Sequence, residues 1–310
     1  MPHTIRFLPF VLSCALAGTA HALIIEGDES QSTTAPASDF GFANVGNVFD
    51  STDGIPATGI YLGNGWMISA YHVVRDSAAD GGFSFGGVVL NGLSYSIDPN
   101  SGVRLTNANQ TPADLALFRL TTIPNLPSVS ISGNAPTVGT SVILSGNGYE
   151  RAATQTQWNV NTATNPYTWT ETSGTGNFQG YQWVYSQTIR WGTNNISSYQ
   201  SNVSDGYGTL NMVLTNFSAN TAGEAAAVPG DSGGGLFYKK GNTWELGGIL
   251  IGDDSYSGQP TGTSVYGNSS YAADLTSYRS QIMSVIPEPG TGALAAVSAV
   301  GLLSHRRRKA

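Results

Sequence analysis

The chain has 310 residues, 40% of them apolar and only 11% charged, with 39 glycines and a formal net charge of −7. That length allows one large or two ordinary domains with real cores, and low charge beside abundant Gly, Ser, Thr and Asn points to an all-β, exported chain rather than a helical cytosolic one. Five of the 13 basic residues and one of the 20 acidic ones lie in two tails, so residues 23–285 hold 8 basic and 19 acidic residues, net −11, and repel the phosphate backbone of any nucleic acid.

Residues 1–22 carry His3 and Arg6, then an apolar run from Phe7 to Ala17, then Ala20-His21-Ala22, a small-x-small site for signal peptidase. This is the pattern of a cleaved signal peptide. The single cysteine, Cys14, lies inside it; acylation of Cys14 as in a lipoprotein is the alternative. After cleavage the chain has no disulfide, no thiol nucleophile and no cysteine-type zinc site, and neither a metal nor a cofactor is expected.

The body reads as short strands divided by turn residues. Thr58 to Leu62 and Trp66 to Ala70 flank Gly63-Asn64-Gly65, and Asn-Gly is the strongest short-range hairpin signal. Directly after that hairpin stands His72, the one histidine between residues 23 and 285. Further strands are expected at 115–120, 141–144, 183–190, 210–215 and 246–251. Asp114 opens the first of these, Asp114-Leu115-Ala116-Leu117-Phe118, where a half-buried carboxylate needs a partner. His72 could be that partner; Asp76 and Asp80 are the alternative carboxylates, and a turn cap after Pro112 is the alternative role for Asp114. The segment 152–180, rich in Thr, Asn and Gln with Trp158, Tyr167 and Trp169, reads as a surface excursion rather than core.

Pro229-Gly230-Asp231-Ser232-Gly233-Gly234-Gly235 sets a serine between glycines, which can aim backbone N–H groups at one spot as an oxyanion hole requires. A serine hydroxyl is a weak nucleophile that needs a base, and the base needs a group to hold its tautomer. A helix is expected over 271–285, where Tyr271, Leu275, Tyr278 and Ile282 recur at helical spacing. Then Ile286-Pro287-Glu288-Pro289-Gly290 leads into a small apolar segment, 291–303, and His305-Arg306-Arg307-Arg308-Lys309. The apolar run is short against the ~20 residues of a membrane span, but basic residues can snorkel and hold such a tail at the cytoplasmic side.

Two resemblances follow. Pro-Glu-Pro, the apolar segment and the arginine cluster of residues 286–310 resemble the PEP-CTERM sorting signal, which implies export from a Gram-negative bacterium to the cell envelope or surface, membrane attachment, and processing by an exosortase-type enzyme. The order His72, Asp114, Ser232, with Ile68-Ser69-Ala70-Tyr71-His72, Asp114-Leu115-Ala116-Leu117 and Gly230-Asp231-Ser232-Gly233-Gly234, resembles the trypsin-like serine proteases. That resemblance implies two antiparallel six-stranded β-barrels with a C-terminal helix, the first over about 38–130 and the second, opening near Gly146-Asn147-Gly148, over about 131–285. It implies a His72, Asp114, Ser232 triad, an oxyanion hole of the Gly230 and Ser232 N–H groups, and protein or peptide substrates. Ala226, six residues before the serine, would floor the specificity pocket and leave it without charge. Ile24-Ile25-Glu26-Gly27 is similar to the activating terminus of the family, and Asp231 would be its partner. A non-catalytic protease-like protein and a carbohydrate-binding surface protein, the latter suggested by Trp158, Trp169, Trp183 and Trp191, are the competing readings.

Overall fold

The structure is a computed structural model that describes residues 23–49, 56–77 and 81–286. The signal peptide, the sorting signal from Pro287 onward and Asp80 lie outside the described residues. Two antiparallel sheets dominate. The first runs in the order Leu93–Tyr95, Gly87–Leu90, Val45–Phe49, Pro56–Gly63, Trp66–Ser69, Pro112–Arg119, Val103–Thr106. The second is a closed barrel of six strands: Arg190–Ser204, Thr209–Asn216, Ser269–Asp274, Thr243–Asp253, Gly235–Lys240 and Ser141–Gly146, the last returning to the first. This is the all-β, two-barrel architecture expected, with seven strands in the first sheet and six in the second.

Local chemistry explains why the elements start and stop where they do. Strands Pro56–Gly63 and Trp66–Ser69 are joined by Asn64 (φ 54°) and Gly65 (φ 86°), the two left-handed residues that a tight hairpin turn demands. Strand Pro112–Arg119 is buried from Ala113 through Phe118, so its apolar run packs on both faces. Ile60, Ile68, Leu117 and Phe118 of the first sheet share one core with Phe237, Leu246, Ile249 and Tyr278 of the second half, which fixes the two sheets against each other.

Three expectations are corrected. The helix over 271–285 is a strand, Ser269–Asp274, then a 3-10 turn, Leu275–Ser277, then a helix, Arg279–Val285. Backbone pairing with Thr209–Asn216 and Thr243–Asp253 overrides the helical spacing, and Asp274 ends the strand by accepting the Thr276 N–H at 2.9 Å. The strand expected over 183–190 straddles two strands, Phe178–Gln187 and Arg190–Ser204, with the break at residues 188–189. The excursion 152–180 has a small core of its own: Trp158, Val160 and Val265 are buried, with Trp169, Phe178 and Tyr256 packed around them.

Residues 23–34 belong to the second barrel. Ile24–Ile25 pairs with Ala225–Ala226, and Glu26 accepts the phenols of Tyr181 and Tyr266. Arg190, 0% exposed, donates to Glu29 Oε2 at 2.9 Å and to Ser32 Oγ at 2.7 Å, so this buried cation is paired on the N-terminal segment.

Candidate active site

His72 sits in a single helical turn, Tyr71–Val74, that follows the hairpin strand. Its backbone N–H donates to Asp114 Oδ1 at 2.7 Å and its Nδ1 lies 2.5 Å from Asp114 Oδ2. Both contacts come from one residue to one carboxylate, so the imidazole is fixed in position and Nδ1 carries the proton, leaving Nε2 as the basic nitrogen. Asp114 is 0% exposed and the His72 side chain 20%. Burial pushes the Asp114 carboxyl up, yet the hydrogen bonds and charge of His72 outweigh it and hold the group below the ordinary carboxylate range. The structure brings His72 and Asp114 together.

The serine loop comes from the second barrel and docks on the hairpin that carries His72. Thr58 N–H donates to the Ser232 carbonyl at 2.9 Å, and Thr58 Oγ1 donates to the Gly230 carbonyl, also at 2.9 Å. Ser69, three residues before His72, donates through Oγ to the Thr58 carbonyl at 2.7 Å. Gly233 (φ 84°) fits between these groups: a Cβ there would overlap the Thr58 carbonyl oxygen and Ser69 Oγ. The Ser232 hydroxyl itself is turned to the Ile251 carbonyl at 3.4 Å, and no hydrogen bond joins it to His72 Nε2 in this conformation.

Within the loop, the N–H groups of Asp231, Gly233 and Gly234 are taken by the carbonyls of Val228, Leu250 and Asp231. Those of Gly230 and Ser232 meet no acceptor among the described residues, and Gly230 has φ 97°. Ala226 is 3% exposed, its backbone paired with Ile24 and its methyl packed with Tyr181, Phe217 and Val228. The position is therefore apolar and covered by the N-terminal segment.

Asp231 is 0% exposed and accepts the N–H groups of Gly148 at 2.7 Å and Val228 at 2.9 Å. Burial raises its carboxyl to about 8, and no cation pairs with it among the described residues. A carboxyl raised in the folded state leaves the fold most stable below the unfolded value, ordinarily near 3.8, and stability is lost as pH rises from there through about 8. The denaturation midpoint of the wild type relative to Asp231→Asn should fall between pH 5 and pH 8. A free N-terminal ammonium reaching Asp231 reverses that sign, so the same titration on N-terminally sequenced material reports whether the pair forms; a flat difference on unprocessed chain contradicts the buried, uncompensated carboxyl.

Three residues near this site carry no sequence signal of their role. Thr58 is a strand threonine among many, and Asp205 and Tyr207 look like ordinary hairpin-turn residues in Ser204-Asp205-Gly206-Tyr207-Gly208. The Tyr207 ring stacks on the His72 imidazole, centroids 5.2 Å apart and planes 28° apart.

The molecule is thus a two-barrel β-protein in which a buried Asp–His pair of one sheet meets a glycine-flanked serine loop of the other. No family model matches the chain and no curated protein matches it. Among solved structures it is similar to the Rv3671c protease from M. tuberculosis in its active form, 14% identical with TM-score 0.48 over 91% of this chain and 95% of that one. It is also similar to neuropsin, a serine protease expressed in the limbic system of mouse brain, 17% identical with TM-score 0.47 over 82% of this chain and 98% of that one.

Proposed function

We propose that the chain is an exported serine endopeptidase that cleaves peptide bonds through an acyl-enzyme. The observation that carries this reading is the buried Asp114–His72 pair held against the loop bearing Ser232. A turn about the Cα–Cβ bond of Ser232 would release the Ile251 carbonyl and offer the hydroxyl to His72 Nε2; hydroxyl geometry without substrate is commonly loose in this way. Ser232 Oγ then attacks the carbonyl carbon while His72 takes its proton. The oxyanion is held by the N–H groups of Gly230 and Ser232, each donor worth ~3 to 4 kcal/mol. His72 returns the proton to the leaving amine, and water repeats the sequence on the acyl-enzyme. Asp114 stays ionised and stabilises the imidazolium.

Export through the signal peptide, exosortase-type processing of the tail and attachment to the membrane of a Gram-negative cell complete the reading. Ala226 is packed against Tyr181, Phe217 and Val228 and does not open to solvent, so the preference for a small or medium apolar side chain before the cleaved bond rests on the uncharged run Ala225-Ala226-Ala227-Val228 that leads into the serine loop. In a peptide-library digest such residues should dominate that position, and cleavage strictly after Lys or Arg would refute the preference. The function as a whole is tested by a fluorophosphonate probe: covalent labelling of the wild type that is absent in Ser232→Ala supports it, and an unlabelled, inactive wild type overturns it.

One observation favours a glycan-binding reading. A cleft of about 390 Å³ is lined by Trp158, Trp169, Trp183 and Tyr185 with Glu171 and Gln182. Trp191 lies elsewhere, its Nε1 donating to the Thr34 carbonyl at 2.7 Å. Glycan binding by Ser232→Ala without any peptidase activity in the wild type would favour that reading.

A further inference from the structure

The hairpin tip 205–208 of the second barrel reaches across to the Asp–His pair of the first. Tyr207 lies on the His72 ring, and the Arg75 guanidinium sits 4.9 Å above the Tyr207 ring on its own account. Arg104 bonds the Tyr207 carbonyl through Nη2, donates to the Ala113 carbonyl through Nε at 3.0 Å, and stacks on Tyr71 at 3.9 Å. At Gly208 a Cβ would come within 2.6 Å of the Asp114 backbone nitrogen, so the tip rests on the strand beside the carboxylate. The tip is thus held by the first sheet as well as by its own strands.

This placement brings a second carboxyl to Asp114. Asp205 Oδ1 accepts the N–H groups of Tyr207 at 2.8 Å and Gly208 at 2.7 Å. Among the described residues no hydrogen-bond donor reaches the buried Asp205 Oδ2, and the hairpin that carries it sets Gly208 against the Asp114 backbone, where the two carboxyls bear on each other. Two facing carboxylates with no donor between them repel when both are ionised, and burial of Asp114 and of Asp205 Oδ2 strengthens that repulsion. Asp114 already accepts two N–H bonds from His72 and is the better carboxylate, so the proton resides on Asp205.

We propose that Asp205 is a positioning residue of the site: its protonated carboxyl donates through Oδ2 to the Asp114 carboxylate, so that the group holding His72 is itself held from the other barrel. The proposal rests on the serine-protease reading for its catalytic consequence, not for its geometry. The charged and titratable groups around Asp205 are Asp114 and, through it, His72 from the first barrel, Arg104 and Arg75 on the neighbouring Tyr207, and the Tyr278 phenol, whose ionisation is opposed first by burial, then by Asp274 and Asp205. Burial, then the charge of Asp114, raises the Asp205 carboxyl, so the neutral donor persists above the ordinary carboxylate range and is lost as pH rises through its folded value. Ionisation there would break the bond and set a second negative charge beside Asp114.

Asp205→Asn keeps an oxygen for the Tyr207 and Gly208 N–H groups and an NH₂ donor for Asp114, without the titration; Asp205→Ala removes both. Two readouts are needed: the downfield His72 Nδ1–H resonance followed against pH, and kcat and KM on a peptide substrate. In Asp205→Asn the resonance should persist and its loss at high pH should move or vanish. In Asp205→Ala the resonance should weaken and kcat fall about tenfold to hundredfold with KM little changed, the loss expected for a hydrogen bond to a charged group. Identical His72 titrations in wild type, Asn and Ala variants overturn the proposal, as does a folded Asn variant as impaired as the Ala variant. If the wild type neither labels with the fluorophosphonate nor cleaves peptides, the endopeptidase reading fails while the resonance still decides the role of Asp205.

Discussion

Ser232→Ala should lower peptide hydrolysis by about 10⁵- to 10⁶-fold, the scale seen when the nucleophile of such a triad is removed, and should leave the fold intact. The second half of that expectation comes from the structure. The loop is held by backbone, through the Ser232 carbonyl to Thr58 N–H and the Gly230 carbonyl to Thr58 Oγ1, and alanine keeps both. The side chain contributes only a 3.4 Å contact to Ile251. Asp114→Asn should cost about 10⁴-fold, because the amide favours the wrong imidazole tautomer without displacing the ring. Initial rates on a chromogenic peptide, with thermal midpoints as the folding control, check both; a Ser232→Ala protein within tenfold of wild-type turnover would end the assignment.

Gly233→Ala should damage activity and stability together. The residue is in the left-handed region, which costs a side-chain-bearing residue ~1 to 2 kcal/mol, and its Cβ would drive into the Thr58 carbonyl and Ser69 Oγ, a form of overpacking worth a further ~1 to 3 kcal/mol. The Thr58 carbonyl is backbone and cannot swing aside, so the loop must lift from the hairpin and carry Ser232 away from His72. Gly241→Ala is the control: its φ of 60° is also left-handed, but a Cβ there meets nothing within 4 Å. Urea midpoints should show Gly233→Ala losing well over the Gly241→Ala penalty, with peptidase activity lost only in the former. Equal penalties at the two glycines would mean that the loop does not depend on this close fit.

The residues at the site differ in how visible they were in the sequence. His72 stood out because the body has one histidine, and Asp114 because a carboxylate opening an apolar strand must be paired. Asp205 gave no such signal, since an Asp-Gly pair at a hairpin tip is explained by turn geometry alone. Its second role comes from where the tip lands, more than 90 positions along the chain from Asp114, and only long-range packing decides that. The Tyr271 to Val285 segment shows the same limit in reverse: its helical spacing was real, but Ser269–Asp274 gains two strand neighbours by closing the barrel, and pairing outweighed periodicity.

The sequence by itself determined the all-β character, the Asn64-Gly65 hairpin and the acidic body, and it singled out His72, Asp114 and Ser232 as candidates, because each depends on local conformation or on a residue's own chemistry. The tertiary structure alone decided that residues 23–34 are bolted to the second barrel, that Thr58 clamps the serine loop, and that the 205–208 hairpin tip lands beside Asp114. Those features join segments far apart in the chain, and their energies come from burying polar groups against particular partners, which no single stretch of sequence contains.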